Sequence, residues 1–207
     1  MDIMVPDALD RIELHKKDGS EPFSYESANI GHTLFDFWRW AYSDIVSNAY
    51  RGVLAEYIVA IALGIADEGI RILWEPYDLL TRDGIKIEVK SASYLQSWRQ
   101  KKLSPISFAC NKTRPDTSVE QDGSFLRRAD LYVFALLKHQ DKSTLNPLDL
   151  SKWEFWVVST EVLNEKIGDG KRVNIATLQR MGIIPMGFSD LKVAINTAAM
   201  NIDRIVD

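Results

Sequence analysis

Seven consecutive apolar residues, Leu131-Tyr132-Val133-Phe134-Ala135-Leu136-Leu137, constrain this chain more than any other stretch. The run is short, free of turn residues and rich in branched and aromatic side chains. That pattern fits an interior strand, because a strand open to water on one face alternates apolar with polar residues. Phe155 to Val158 repeats it. Helices are predicted on either side of these strands. Thr33 can cap a helix through Leu34, Phe35, Phe37, Trp38, Trp40, Ala41 and Ile45, aromatic over much of its circumference and expected to be well packed. Asn48 can cap a second, Ala49 to Leu63, ended by Gly64. Ser159 or Thr160 caps a short helix from Glu161 to Ile167, closed by Gly168. Two more are expected, Ile175 to Met181 and one from a Ser189 cap to about Met200. Short strands are predicted at Ile70 to Trp74 and Ile106 to Cys110. This order predicts one α/β domain over residues 1–207, with a mixed central β-sheet flanked by helices. It begins with a polar arm to about residue 30, centres on a core from 48 to 160, and ends in a helical part from 161 to 207.

Between the first helices and the apolar strands lies Tyr77-Asp78-Leu79-Leu80-Thr81-Arg82-Asp83-Gly84-Ile85-Lys86-Ile87-Glu88-Val89-Lys90. Arg82-Asp83-Gly84 reads as a three-residue turn with Gly at the position that needs φ > 0. Thr81 then pairs with Ile85, and Asp78 falls opposite Glu88. Strand alternation puts Lys90 on the face of Glu88, and Leu79, Ile85, Ile87 and Val89 on a core face. Like charges directly opposite one another destabilise a hairpin by up to roughly 1 kcal/mol. A bound divalent cation would turn that repulsion into coordination.

The chain of 207 residues is long enough to bury about 70% of its unfolded surface. Six Trp and eight Phe supply core material, so neither disulfides nor a structural metal are required. The single cysteine, Cys110, fits a reducing compartment and reads as a packed residue. No apolar run approaches the roughly 18 residues that span a bilayer, and the first residues lack a basic start followed by an apolar segment. The expectation is a soluble, cytoplasmic protein without membrane association. A net charge of −4 argues against a protein that coats nucleic acid, yet its distribution is uneven. From Val89 to Pro115 there is no Asp or Glu, while Lys90, Arg99, Lys101, Lys102, Lys112 and Arg114 are present.

Asp78 with Glu88-Val89-Lys90 resembles the PD-(D/E)xK nuclease superfamily, whose fold is the restriction-endonuclease-like one. In that motif an Asp and a Glu/Asp-x-Lys lie on adjacent strands, and a preceding helix often turns a Glu toward them. Here Arg51-Gly52-Val53-Leu54-Ala55-Glu56-Tyr57-Ile58-Val59-Ala60 supplies Glu56, the only charge between Gly52 and Ala66. Arg128-Ala129-Asp130 leading into the apolar strand matches the family's later core strand. The order of elements matches over roughly 48 to 160 and the motif itself over Glu56 and 78–90. Where the family often has Pro immediately before its Asp, this chain has Tyr77, with Pro76 one place earlier.

The resemblance implies a metal-dependent endonuclease hydrolysing phosphodiester bonds, in DNA rather than RNA. Asp78, Glu88 and the backbone carbonyl of Val89 would hold Mg²⁺ or Mn²⁺, hard cations that take oxygen ligands. Glu56 would hold a water or a second ion. Lys90 would act as base or as a fixed positive charge, and the sequence leaves both open. Arg99, Lys101, Lys102, Lys112 and Arg114 are candidate phosphate contacts, with the loop over 111–128 ordering on substrate, and Ser93 and Gln96 are weaker ones. A homodimer follows by resemblance alone. The residues also admit plainer readings. Alternating Lys86, Glu88 and Lys90 fits a solvated strand face, Glu56 fits an ion pair with Arg51, and Trp38, Trp40, Trp153 and Trp156 fit a core better than stacking platforms. A nucleic-acid-binding module without catalysis and a protein-interaction α/β domain are the alternative functions.

Overall fold

The computed structural model describes residues 12–73, 75–113 and 125–202. They fall into two compact units, one taking the N-terminal residues to Ser43 with Glu68–Arg71, the other Asp44–Asp67 and the chain from Ile72.

In the smaller unit, β1 (Pro22–Tyr25) and β2 (Ala28–Thr33) form an antiparallel hairpin inside the stretch expected to be an irregular arm. Its two-residue turn, Glu26 and Ser27, has φ of 48° and 68°. This is the left-handed geometry that suits hairpin twist but is rarely built from such residues, so the sequence carries no turn signal there. Helix α1 (Leu34–Tyr42) follows, capped by Thr33, whose N–H and hydroxyl both donate to the Asp36 carboxylate. Gly19 approaches the Trp38 ring so closely that a Cβ would lie 3.0 Å from it, with φ at +94°. The expectation of a well-packed helix fails. No residue of α1 is buried, and Trp40 is 84% exposed.

The larger unit is mixed α/β. Four strands, β3 (Leu79–Leu80), β4 (Lys86–Ser93), β6 (Leu131–Leu137) and β7 (Trp153–Ser159), lie in that spatial order. β4 and β6 run parallel while β3–β4 and β6–β7 are antiparallel, so the sheet is mixed as expected. All seven residues of β6 are buried. One sheet face meets α2 (Asn48–Leu63) and α5 (Phe188–Met200), where Ala55, Ile58, Val59, Leu191 and Ile195 pack on Ile87, Val89, Val133 and Ala135. On the other face Phe134, Leu136 and Trp156 pack beneath β5 (Phe108–Ala109), β8 (Arg172–Val173), α3 (Thr160–Ile167) and α4 (Ile175–Arg180). Each fully buried side chain of this kind contributes roughly 1.5–3 kcal/mol.

The helix boundaries follow their caps. Gly64 ends α2 at φ 75°, donating to the carbonyls of Ala60 and Ile61. Its N-cap is Ser47, one residue before the expected Asn48. Ser159 Oγ caps α3 and Asn174 caps α4, whereas α5 begins at Phe188 after Gly187 rather than at a Ser189 cap. No strand forms at Ile70 to Leu73, and Trp74 lies outside the described residues. Half-exposed and without a neighbour strand, that segment has no ladder to join, because β3 already occupies the edge beside β4. β5 keeps only two residues of the expected Ile106 to Cys110 strand.

The connection from β4 to its parallel neighbour β6 runs through 94–130 with no α-helix among its described residues. Its first part is an irregular loop held by amides. Gln96 Nε2 donates to the carbonyl of Ser93 and to Ser104 Oγ. Gln100 Nε2 reaches the carbonyl of Tyr94 and Ser104 Oγ. Cys110 is buried as expected, and no helix of the described residues is long and apolar enough to cross a membrane.

Candidate active site where the edge ladder ends

The turn at 82–84 sets the site. Gly84 has φ 80° and its N–H donates to the Thr81 carbonyl, while Thr81 N–H donates to the carbonyl of Ile85. Leu79 then pairs with Ile87 and Leu80 with Lys86, a register that puts Asp78 opposite Glu88 as the sequence predicts. Ile85, Ile87 and Val89 are buried on the core face, with Leu79 packed against them. Asp78, Glu88 and Lys90 share the other face, their side chains 18%, 19% and 32% exposed.

The last backbone bond between these strands runs from the Asp78 N–H to the Ile87 carbonyl, and the Asp78 side chain carries the pairing one step further. Asp78 Oδ2 accepts from the Val89 N–H at 2.7 Å. N–H and C=O of one strand residue point to the same edge, so the Val89 carbonyl lies on this edge as well. The Lys90 ammonium contacts Glu88 Oε1 and lies 4.0 Å from Asp78 Oδ2. Glu56, on α2, is 7% exposed, and its charge is felt at both Glu88 and Lys90. Burial pushes the Glu88 carboxyl up. Lys90 pulls it back, but Asp78 and Glu56 add to the rise. For Lys90, burial opposes the ammonium, yet Glu88, Asp78 and Glu56 together outweigh it and hold its pKa above the ordinary lysine value.

Three carboxylates against one amine leave a formal charge of −2 in a half-buried corner, an oxygen-rich donor set that suits a hard divalent cation. No group of three or more His, Cys, Asp or Glu side chains that could hold a metal ion occurs among the described residues. An ion here would rest on two carboxylates and the Val89 carbonyl, with water for the remainder, as Mg²⁺ tolerates.

The other candidates scatter. Arg99, Lys101 and Lys102 are exposed on the amide-held loop after β4. Lys112 is engaged, its Nζ 2.8 Å from Asp169 Oδ1, and Arg114 lies outside the described residues, as do 114–124 of the 111–128 loop. Ser93 and Gln96 are buried and spent on the loop, so they present nothing to a phosphate. The Arg51 guanidinium donates to the Val46 carbonyl, Asn48 and Gln96. Burial brings its pKa down to about 10, which still leaves it charged at neutral pH. Trp153 and Trp156 are core residues, as expected, whereas Trp40 is not.

Sequence reasoning placed Tyr132 only in a core strand. The parallel register sets it beside Glu88, on the site face, and only that register could have shown it. Burial first and then Glu88 push its hydroxyl well above the ordinary tyrosine range.

The structure thus defines a mixed α/β protein with two opposed carboxylates and an amine gathered near one edge of its sheet. The sequence pattern of the family described as bacteriophage T4 endonuclease IV matches residues 37–175, more than half of the chain and all of this site. The chain belongs to that nuclease family. No curated protein matches it.

Proposed function

We propose that this protein is a divalent-metal-dependent endonuclease that hydrolyses phosphodiester bonds in DNA, and that its likeness to the PD-(D/E)xK superfamily is one of mechanism. The observation that carries the reading is the Lys90 ammonium seated between Glu88 and Asp78 across adjacent strands. Family membership supports the reaction class.

In this reading Asp78, Glu88 and the Val89 carbonyl hold Mg²⁺ or Mn²⁺, and Glu56 orders a water at its rim. The ion supplies Lewis acidity and a lowered water pKa. Lys90 stays protonated in the field of the three carboxylates, which favours the role of a fixed positive charge facing the developing phosphorane charge over that of a base. Exposed Arg99, Lys101 and Lys102 contact backbone phosphates, so binding weakens steeply with salt.

The test is incubation of supercoiled and linear DNA with Mg²⁺ or Mn²⁺, wild type beside Lys90→Ala and Asp78→Ala. Cleavage by wild type, reduced about 10²–10³-fold or more in either variant, is expected. At about 100 times its Kd, the cation should also stabilise wild type by roughly 2.7 kcal/mol, and Asp78→Ala should not respond. DNA binding with neither cleavage nor a metal response would refute the catalytic reading.

A further inference from the structure

Across one level of the sheet, three neighbouring strands present Asp78, Glu88 and Tyr132 to the same face, at strand spacings of about 4.8 Å. The next strand at that level presents Val158, and one level along, Lys90 is followed by Phe134. The polar corner therefore ends at Tyr132, the only residue of β6 with a polar group on its side chain.

Tyr132 is 4% exposed, and buried tyrosine hydroxyls usually find a partner. Its ring packs 5.9 Å from that of Phe134, and its hydroxyl, which bonds to no described residue, is not one of the buried atoms left without a partner, so it reaches solvent at this corner. Some buried polar groups of this unit are served and some are not, Ser47 Oγ and the Trp156 indole N–H having no partner among the described residues. Arg127 makes four hydrogen bonds and the Trp153 indole N–H donates to the Pro147 carbonyl. Phe would fill the Tyr132 site equally well but would bring no donor to the corner. An O–H beside Glu88 that is spent on no described protein group has a use if an oxygen acceptor arrives there with the substrate.

We infer that Tyr132 is a further site residue, its hydroxyl donating to a nonbridging oxygen of the scissile phosphodiester over Glu88, or to a water in that place. This rests on the nuclease reading above. The ammonium of Lys90 and the hydroxyl of Tyr132 then approach the phosphate from two directions, one as a charge and one as an oriented donor.

Tyr132→Phe keeps the ring and removes only the O–H. Three measurements decide the matter: the metal-free melting temperature, the Mn²⁺ midpoint of thermal stabilisation, and steady-state kinetics (kcat and KM) on DNA. The expected result is an unchanged or higher metal-free melting temperature with kcat down about 10–100-fold, as for loss of a hydrogen bond to a charged group. If the acceptor is phosphate, the Mn²⁺ midpoint stays where it is. If it is water, the midpoint moves to higher Mn²⁺. Wild-type cleavage with an unaltered kcat and Mn²⁺ midpoint in Tyr132→Phe overturns the Tyr132 assignment alone. A fall in metal-free melting temperature also overturns it, because the hydroxyl would then have a structural partner. Wild-type protein that neither cleaves DNA nor responds to Mn²⁺ overturns the nuclease reading and this assignment together.

Discussion

At neutral pH the Glu88 carboxylate sits where burial and two neighbouring acids oppose its charge, and Lys90 only partly relieves it. Its folded pKa lies above the ordinary 4.5, so the folded state holds the proton more tightly than the unfolded chain. Metal-free stability therefore falls as pH rises from about 4.5 through the folded value, and the penalty is fully present above that value. Lys90 works the other way. Its raised pKa contributes stability below 10.5 that is lost as pH rises through the folded value. Glu88→Gln should then raise the metal-free melting temperature at pH 7, with the gain shrinking as pH falls through the folded value and gone below about 4.5, while abolishing the metal response. A variant no more stable than wild type at pH 7 would contradict this account. Such an exchange of stability for function is common where charges are gathered for a ligand. The shared face of Asp78, Glu88 and Lys90 was legible because a turn only a few residues away fixes it. Tyr132 was not, because its place beside Glu88 depends on a pairing between distant segments.

Among the elements, the hairpin was read from sequence with its register intact, since Gly84 announces the turn and the alternating apolar residues choose the face. Gly84→Ala would force a Cβ onto φ 80° and should cost roughly 1 kcal/mol. Activity should fall further than stability does, because the turn places Asp78 against Glu88; a chemical-denaturation curve beside a cleavage assay checks both. The β1–β2 hairpin escaped notice for the opposite reason, its turn being made of Glu26 and Ser27. Helix α1 was recognised by its Thr33 cap, yet its packing was misjudged, because a run of aromatics says nothing of whether a partner surface exists. Trp40→Ser should shift stability by no more than about 0.5 kcal/mol in thermal unfolding. Arg127 is a different case. From between β5 and α3 it donates to the carbonyls of Cys110, Gly168 and Gly170 and to Asn164, and nothing in its sequence surroundings signals this. Arg127→Met should strand these acceptors and destabilise by about 2–4 kcal/mol, measurable as a lower denaturation midpoint at unchanged slope.

For the molecule as a whole, the two apolar runs sufficed to predict a sheet covered on both faces, because a strand buried on both sides admits few other surroundings. Charge was less legible. A stretch without acids in sequence does not stay so in space, and Lys112 meets Asp169 from a segment 57 residues on, that is 169 − 112. Of the acid-free stretch, the exposed basic residues after the hairpin that are described and not in an ion pair narrow to Arg99, Lys101 and Lys102. Reversing these three together should weaken DNA binding and flatten its dependence on salt by about three counter-ions, without altering cleavage at saturating DNA.

The helix-free crossover from β4 to β6 also sets a timetable. β6 and β7 are joined by 138–152 and can zip up soon after both exist, whereas β4 must wait for the far side of 94–130 to return to it. Closing long loops before any reward slows folding. The β4–β6 seam, which seats Glu88 beside Tyr132, should therefore be among the last pairings made during refolding, and catalytic competence should appear after most of the helical signal has already recovered.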